Sequence, residues 1–323
     1  MIRTASIVVL VLYLAVATGF AQKLARTPDG HPDLQGLWLN NTATPLERPA
    51  EFAGKVLLSD AEAREYLQRY QLDRTAAASR VDPAFELDVA GDLDTYEPGP
   101  LLPGNRTSLI TDPDSGRVPA LTPEAQARAA AQAQRVRSRN AENPEDFTNA
   151  ERCLQVAQTS APPMLPAYYN NNLQIVQTRD YVMILSEMIH DVRIIPLARG
   201  AHLPSAIGQW KGDSIGRWEG DTLVVDTTNF TDKTNLRGSG PGLHVVERFA
   251  LDGPDALKYQ FAVDDPGSFV RSWSGDSLMT RSQERMFEYA CHEANYSLPI
   301  MMRGERFQEG ELGGTKSQKP VER

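Results

Sequence analysis

From Asn172 onward the apolar residues recur at every second position, and this alternation constrains the fold more than any other feature of the chain. Leu257, Tyr259, Phe261 and Val263 fall on one side of a strand whose other side carries Lys258 and Gln260. Successive side chains of a strand point to opposite faces, so such a segment buries one face and wets the other. Leu173–Thr178 and Tyr181–Glu187 read the same way, with Arg179-Asp180 as the hairpin turn between them. Val192–Leu197, Thr222–Phe230, Leu243–Leu251, Phe269–Ser274 and Glu284–Ala290 continue the series. Thr222–Phe230 sets Leu223, Val225, Thr227 and Asn229 on one face, and Asp252-Gly253-Pro254-Asp255 is strong turn chemistry. With strands at Gly36-Leu37-Trp38 and around Arg217, this makes about nine or ten short strands at close spacing, the pattern of an antiparallel meander closed as a barrel or folded as a sandwich.

The N-terminal half has a different texture. Residues 24–33 are polar and turn-rich, an extended lead-in (22–35) to the first strand. The Gly-x-Trp at Gly36–Trp38 is similar to the opening of lipocalin-type (calycin-like) barrels, where a tryptophan packs under one end. Ser59-Asp60-Ala61-Glu62 is a capping box that starts a helix running through Tyr70. Thr122-Pro123-Glu124 starts a second, with a threonine N-cap and proline at the first helical position. Its Arg128–Arg139 stretch reads as a solvated face. Residues 81–108 read as an irregular wrapping loop. The fold expected is therefore mainly β with a helical N-terminal insertion: a first strand and wrapping segment over 36–150, a β domain over 151–305, and a charged disordered tail over 306–323.

Residues 1–21 carry Arg3, an apolar run Ile7–Val16, and small residues Gly19 and Ala21 before Gln22. This is the pattern of a cleaved secretory signal. The apolar run is short for a span, which needs about 20 residues. A periplasmic or secreted location follows. Formal net charge is −9, which disfavours nucleic-acid partners, since phosphate binding needs clustered Lys and Arg. The two cysteines, Cys153 and Cys291, suggest one disulfide in an oxidising compartment. Free buried thiols and a thiol site are the alternatives. The bridge would close a loop of about 140 residues and contribute up to about 5 kcal/mol in the chain-entropy account.

The Gly212–Val225 segment GDSIGRWEGDTLVV, with TPDGHPDLQGLW at Thr27–Trp38, EMIHDVRIIPL at Glu187–Leu197 and EYACHEANY at Glu288–Tyr296, resembles a family of uncharacterised secreted bacterial proteins. The resemblance implies a shared fold and export. It implies no catalytic residue and no substrate.

The sequence has no nucleotide-binding glycine fingerprint, phosphate loop, GxSxG elbow or HExxH helix. What remains is five histidines and their neighbours. His190-Asp191-x-Arg193 sits where one strand turns into the next. If extended, Asp191 and Arg193 share a face, either as a structural ion pair or with His190 as acid or base and Arg193 steadying an anion. His244 opens a strand that holds Glu247, which is either solvent-facing or an interior carboxylate suited to general-acid work. Cys291 would tether His292. A metal could draw on His190, His202, His244, His292 and an acid, but no pair has ligand spacing, so no cofactor is expected. Tyr169 (beside an asparagine run), Trp210, Trp218, Asn229 and Arg237 are candidate ligand-binding residues. The two WxGD units at Trp210 and Trp218 read as successive turns of one hairpin. Pro299-Ile300-Met301-Met302 reads as core packing or a plug at a barrel end.

Together these features point to a cofactor-independent enzyme of lyase, hydratase or isomerase type. His190, Arg193, His244, Glu247 and His292 would act on a small, partly apolar molecule in a barrel cavity. An exported binding protein using the same cavity without chemistry is the alternative, since aromatic-lined cavities serve both.

Overall fold

Ten antiparallel strands form one sheet that curls into a nearly closed barrel. The computed structural model describes residues 24–78, 99–137, 143–155, 158–167, 169–233, 236–293 and 295–308. The signal segment read from the sequence lies outside these, as do most of the wrapping loop and of the tail; residues 306–308, expected to be disordered, end the last helix. In chain order the elements are β1 (Gly36–Leu39), α1 (Asp60–Ala78), β2 (Ile110–Asp112), α2 (Pro123–Arg137), β3 (Asn172–Gln177), β4 (Tyr181–Ser186), β5 (Val192–Pro196), β6 (Asp213–Glu219), β7 (Thr222–Thr228), β8 (His244–Leu251), β9 (Ala256–Asp264), β10 (Trp273–Arg281) and α3 (Ser297–Gln308). Sheet order is β5-β4-β3-β1-β10-β9-β8-β7-β6, and β2 pairs with β10 along the edge that β1 also uses.

Two meanders, β3–β5 and β6–β10, are thus joined by the short β1, which pairs with β3 on one side and β10 on the other. Trp38 of β1 is fully buried. Its indole N–H donates to Leu34 O at 2.9 Å, and the Arg281 guanidinium covers the ring at 4.3 Å. Inward positions follow the alternation: Leu173 and Ile175, Val182 and Ile184, Val245 and Phe249, and Leu257, Tyr259, Phe261 and Val263 belong to one buried cluster with Trp38 and Trp273. The interior is therefore filled by side chains.

Among the described residues no backbone pairing joins β5 to β6, so side chains close that seam. A Cβ at Gly216 of β6 would stand 2.8 Å from Leu197 and 2.9 Å from Ile195. The absent side chain is what lets the end of β5 press against β6. Beside it, Arg193 of β5 reaches across the interior. Its guanidinium donates to both carboxylate oxygens of Glu247 on β8, at 3.1 and 2.5 Å, and to Ser214 Oγ on β6 at 3.3 Å. Tyr259 Oη donates to Glu247 at 2.8 Å and accepts from Met164 N at 2.7 Å. Both Arg193 and Glu247 are buried. Burial opposes the charge on Arg193, but the Glu247 charge and hydrogen bonds outweigh it and raise the guanidinium pKa. Burial, then the Glu247 charge, push the Tyr259 hydroxyl well above the usual tyrosine range.

α1 begins at the capping box, where Glu62 accepts from Ser59 N at 2.9 Å and Ser59 Oγ at 2.7 Å. α2 is capped by Thr122 Oγ1, which accepts from Ala125 N at 3.2 Å. Cys153 and Cys291 form a disulfide, which ties the chain after β10 to the buried Met188 and Ile189 at the β4–β5 turn.

Several sequence expectations are corrected. The last strand is Trp273–Arg281 rather than Phe269–Ser274, because Phe269 makes only an isolated bridge to Leu121 and the polar Ser274, Asp276 and Thr280 take the outer face. Glu284–Ala290 forms no strand. It is fastened by the neighbouring disulfide, by a Phe287 N–H donated to Glu187 and by the contact of Tyr289 O with His190 Nδ1. Ile300, in the segment read as core or plug, is 64% exposed on α3. Asp191 and Arg193 do not pair: Asp191 precedes β5 and binds Lys211 and Ser160, and Arg193 turns inward to Glu247. The two WxGD units are turns at opposite ends of β6, not of one hairpin.

Truncating Glu247 to alanine strands a buried guanidinium, an effect worth about 3–5 kcal/mol. The expected outcome in urea unfolding is a loss of that size. The Arg193→Met/Glu247→Leu double variant should recover most of it, because no uncompensated charge remains.

Candidate functional site

The strand that buries Leu223, Val225 and Thr227 turns Asp226 outward, and β8 turns His244 outward while burying Val245 and Glu247. Asp226 pairs in register with Ile215 and Val246, so its carboxylate lies between the outer faces of β6 and β8. The loop from Arg199 to Gly212 crosses this face and delivers His202. Asn229, at φ +57 just past β7, holds that loop by donating to Leu203 O at 2.8 Å.

The result is a continuous hydrogen-bonded chain. His244 Nε2 lies 3.1 Å from Asp226 Oδ2. The other oxygen, Asp226 Oδ1, lies 2.9 Å from His202 Nε2, and His202 Nδ1 lies 2.9 Å from Asp213 Oδ2. Asp213 is anchored further by Leu203 N at 2.9 Å and by the Arg199 guanidinium. Both His202 contacts are donations at once only when that ring carries two protons. Burial opposes ionisation of Asp213, but hydrogen bonds from Arg199, Leu203 N and His202 outweigh it and hold its pKa below the ordinary value. Burial likewise opposes Asp226, and hydrogen bonds from His244 and His202 hold it low. Exposure rises along the chain, from 4% for the Asp213 side chain to 39% for His244.

The arrangement can handle protons at its exposed end. With Nε2–H donated to Asp226, the His244 ring presents Nδ1 as a lone pair, and Nδ1 has no partner among the described residues. A carboxylate that fixes tautomer and orientation in this way is the standard support for a histidine general base. Arg199 also walls a cavity of about 530 Å³ on the outer surface, with Tyr181, Ile194 and Pro196. Among the described residues no group of three His, Cys, Asp or Glu is arranged to hold a metal ion.

The residues expected from the sequence fall in separate places. His244 and Asn229 belong to the outer cluster. Arg193 and Glu247 are buried together inside the barrel, on the face opposite His244, because three positions along a strand reverse the side. His190, Tyr169 and His292 lie near the disulfide. His190 Nδ1 is 2.9 Å from Tyr289 O, and His292 is exposed. Burial, then the neighbouring Tyr169, push the Tyr289 hydroxyl up to about 12. Trp218 lies at the far end of β6, where His31 of the lead-in stacks on it with ring centroids 4.6 Å apart. Trp210 is half-buried before β6, and Arg237 is exposed at φ +54. Sequence reasoning missed Asp213 and Asp226, and used His202 only as a conceivable metal ligand. The signal was present: Asp226 and His244 each oppose the apolar face of their own strand.

No family model matches the sequence, and no curated protein matches it.

The two depressed aspartates contribute stability that is fully present above the unfolded aspartate pKa, about 3.9, and is lost as pH falls through their lower folded values. Asp213→Asn removes an acceptor of charged donors and should cost about 1–3 kcal/mol at neutral pH. In urea titrations across pH, the gap between wild type and variant should hold above about pH 4 and narrow below it. A gap independent of pH would show that the carboxylate charge contributes nothing.

Proposed function

We propose that the chain is an exported enzyme that works without an organic cofactor. His244 takes and returns a proton on a small, partly apolar molecule in a lyase, hydratase or isomerase type of step. The observation that carries this reading is the Asp213–His202–Asp226–His244 chain, with one imidazole nitrogen left free at its exposed end. Such a chain is more than solubility requires. A surface histidine needs no partner, and here two carboxylates, a second imidazole, a guanidinium and a backbone N–H orient it.

The roles divide by contact. His244 Nδ1 meets substrate. Asp226 fixes the ring and stabilises it when it carries the proton. His202 and Asp213 are positioning residues that act through Asp226. Arg199, whose charge is shared with Asp213, orients a polar group of a substrate seated against Tyr181 and Ile194, and Asp180 in the same wall disfavours a strongly anionic one. Export rests on the N-terminal segment and is supported by the disulfide. It requires that the mature chain start at Gln22.

The test is proton exchange. Incubating the mature protein in deuterated water with a library of small oxo-acids, hydroxy-acids and enolisable ketones should yield at least one compound that gains mass by carbon deuteration. His244→Ala should slow that exchange by about 10²–10⁴-fold, the usual contribution of a general base. His202→Ala should slow it less, and folding should be intact by circular dichroism. Equal exchange in wild type and His244→Ala would sink this assignment.

A further inference from the structure

A second cavity, of about 540 Å³, lies away from the histidine chain, where the wrapping segment meets β2. Its floor holds Arg48, which is 95% buried by its 5% exposure. The main chain of Arg48 is fixed by its N–H donating to Gly116 O at 2.7 Å. Its guanidinium donates from Nε to Thr107 Oγ1 at 3.0 Å and from Nη1 to Asp114 O at 2.9 Å. Both acceptors are neutral. No carboxylate among the described residues lies within ion-pair distance of Arg48. The adjacent Glu47 accepts from Val118 N instead. Nη2 has no hydrogen-bond partner among the described residues, and Gly116 makes room for it: a Cβ there would stand 2.9 Å from Nη2. A buried cation without a counter-ion is costly, and proteins pair such charges or use them.

We propose that this cavity binds a small monocarboxylate with an apolar body, its carboxylate seated on the Arg48 guanidinium. The flat fork of N–H donors suits a carboxylate. Among the described residues Arg48 is the one guanidinium in the wall without a carboxylate partner, since Arg106 is neutralised by Asp276, and the exposed Asp114 side chain disfavours any second negative charge on the ligand. A dianion would exceed what Arg48 alone offsets. The exposed hydroxyls of Thr111 and Ser115 line the same cavity and can donate to the second oxygen, and Val56 and Ile110 supply the apolar wall. The volume is in the range of small-molecule sites. This site is independent of His244 and does not rest on the proton-transfer reading.

Isothermal titration of the full mature chain with benzoate, benzamide and inorganic phosphate tests it. Benzoate should bind at least about tenfold more tightly than its neutral amide and than phosphate. Val56→Trp occupies the cavity while leaving the Arg48 residue itself unchanged, and should weaken benzoate by at least about tenfold with the melting temperature unchanged. Arg48→Lys keeps the charge but not the fork and should weaken it similarly; if that variant fails to fold, the Val56 variant and the amide comparison still decide. His244→Ala should bind benzoate as wild type does. No saturable benzoate binding, equal affinity for benzamide, tighter binding of phosphate, benzoate binding unchanged in Val56→Trp, or binding lost in His244→Ala would each overturn the proposal.

Discussion

The contact between Arg193 and Glu247 carries a load that backbone hydrogen bonds carry elsewhere in the sheet. Nine strands follow one another by pairing from β5 round to β6, but the two end strands do not pair. A sheet left open there would expose two edges and part of its interior. The guanidinium spans the gap, touching β8 through Glu247 and β6 through Ser214. Gly216 lets Ile195 and Leu197 close in beside it. A buried ion pair contributes modestly to net stability against a well-packed apolar alternative, yet removing half of one is expensive. Its effect here is directional: it specifies which strands face each other across the seam.

Filling the barrel with large side chains has a consequence for chemistry. The described inward side chains pack into one buried cluster, and the hydrogen-bonded histidines and aspartates stand on the outside. There the same alternation that buries Val225 and Val245 presents Asp226 and His244. Strands hold such groups rigidly, and the Arg199–Gly212 loop completes the set by laying His202 between two carboxylates. The histidine–aspartate chain and the cavity at Arg48 thus belong to different parts of the chain, one to the β6–β8 face and one to the wrapping segment.

Much of the sheet was legible from period two alone. β3, β4, β5, β7, β8 and β9 lie within a residue or two of where alternation and turn chemistry put them. The strand expected at Phe269–Ser274 stopped short of Gly275, Asp276 and Ser277, whose small and polar side chains suit a strand crowded by its neighbours: a Cβ at Gly275 would stand 2.6 Å from Phe261. Glu284–Ala290 has no partner edge among the described residues, and its apolar residues come in adjacent pairs, Met286-Phe287 and Tyr289-Ala290, rather than in alternation. Of the candidate site, His244 was legible as a residue type in a suggestive place. Its partners were not, because His202, Asp213 and Asp226 are joined by tertiary contacts, not by spacing.

The sequence by itself determined which residues could be strands, which face of each is apolar, where the helices start, and that two cysteines were there to be bridged. These are local properties, set by alternation, capping and composition. Only the tertiary structure decided that β1 lies between β3 and β10, that Arg193 answers Glu247 rather than Asp191, and that two aspartates and two histidines form one chain. Pair identities across a sheet depend on register and closure, and register is a property of partners, not of any one strand.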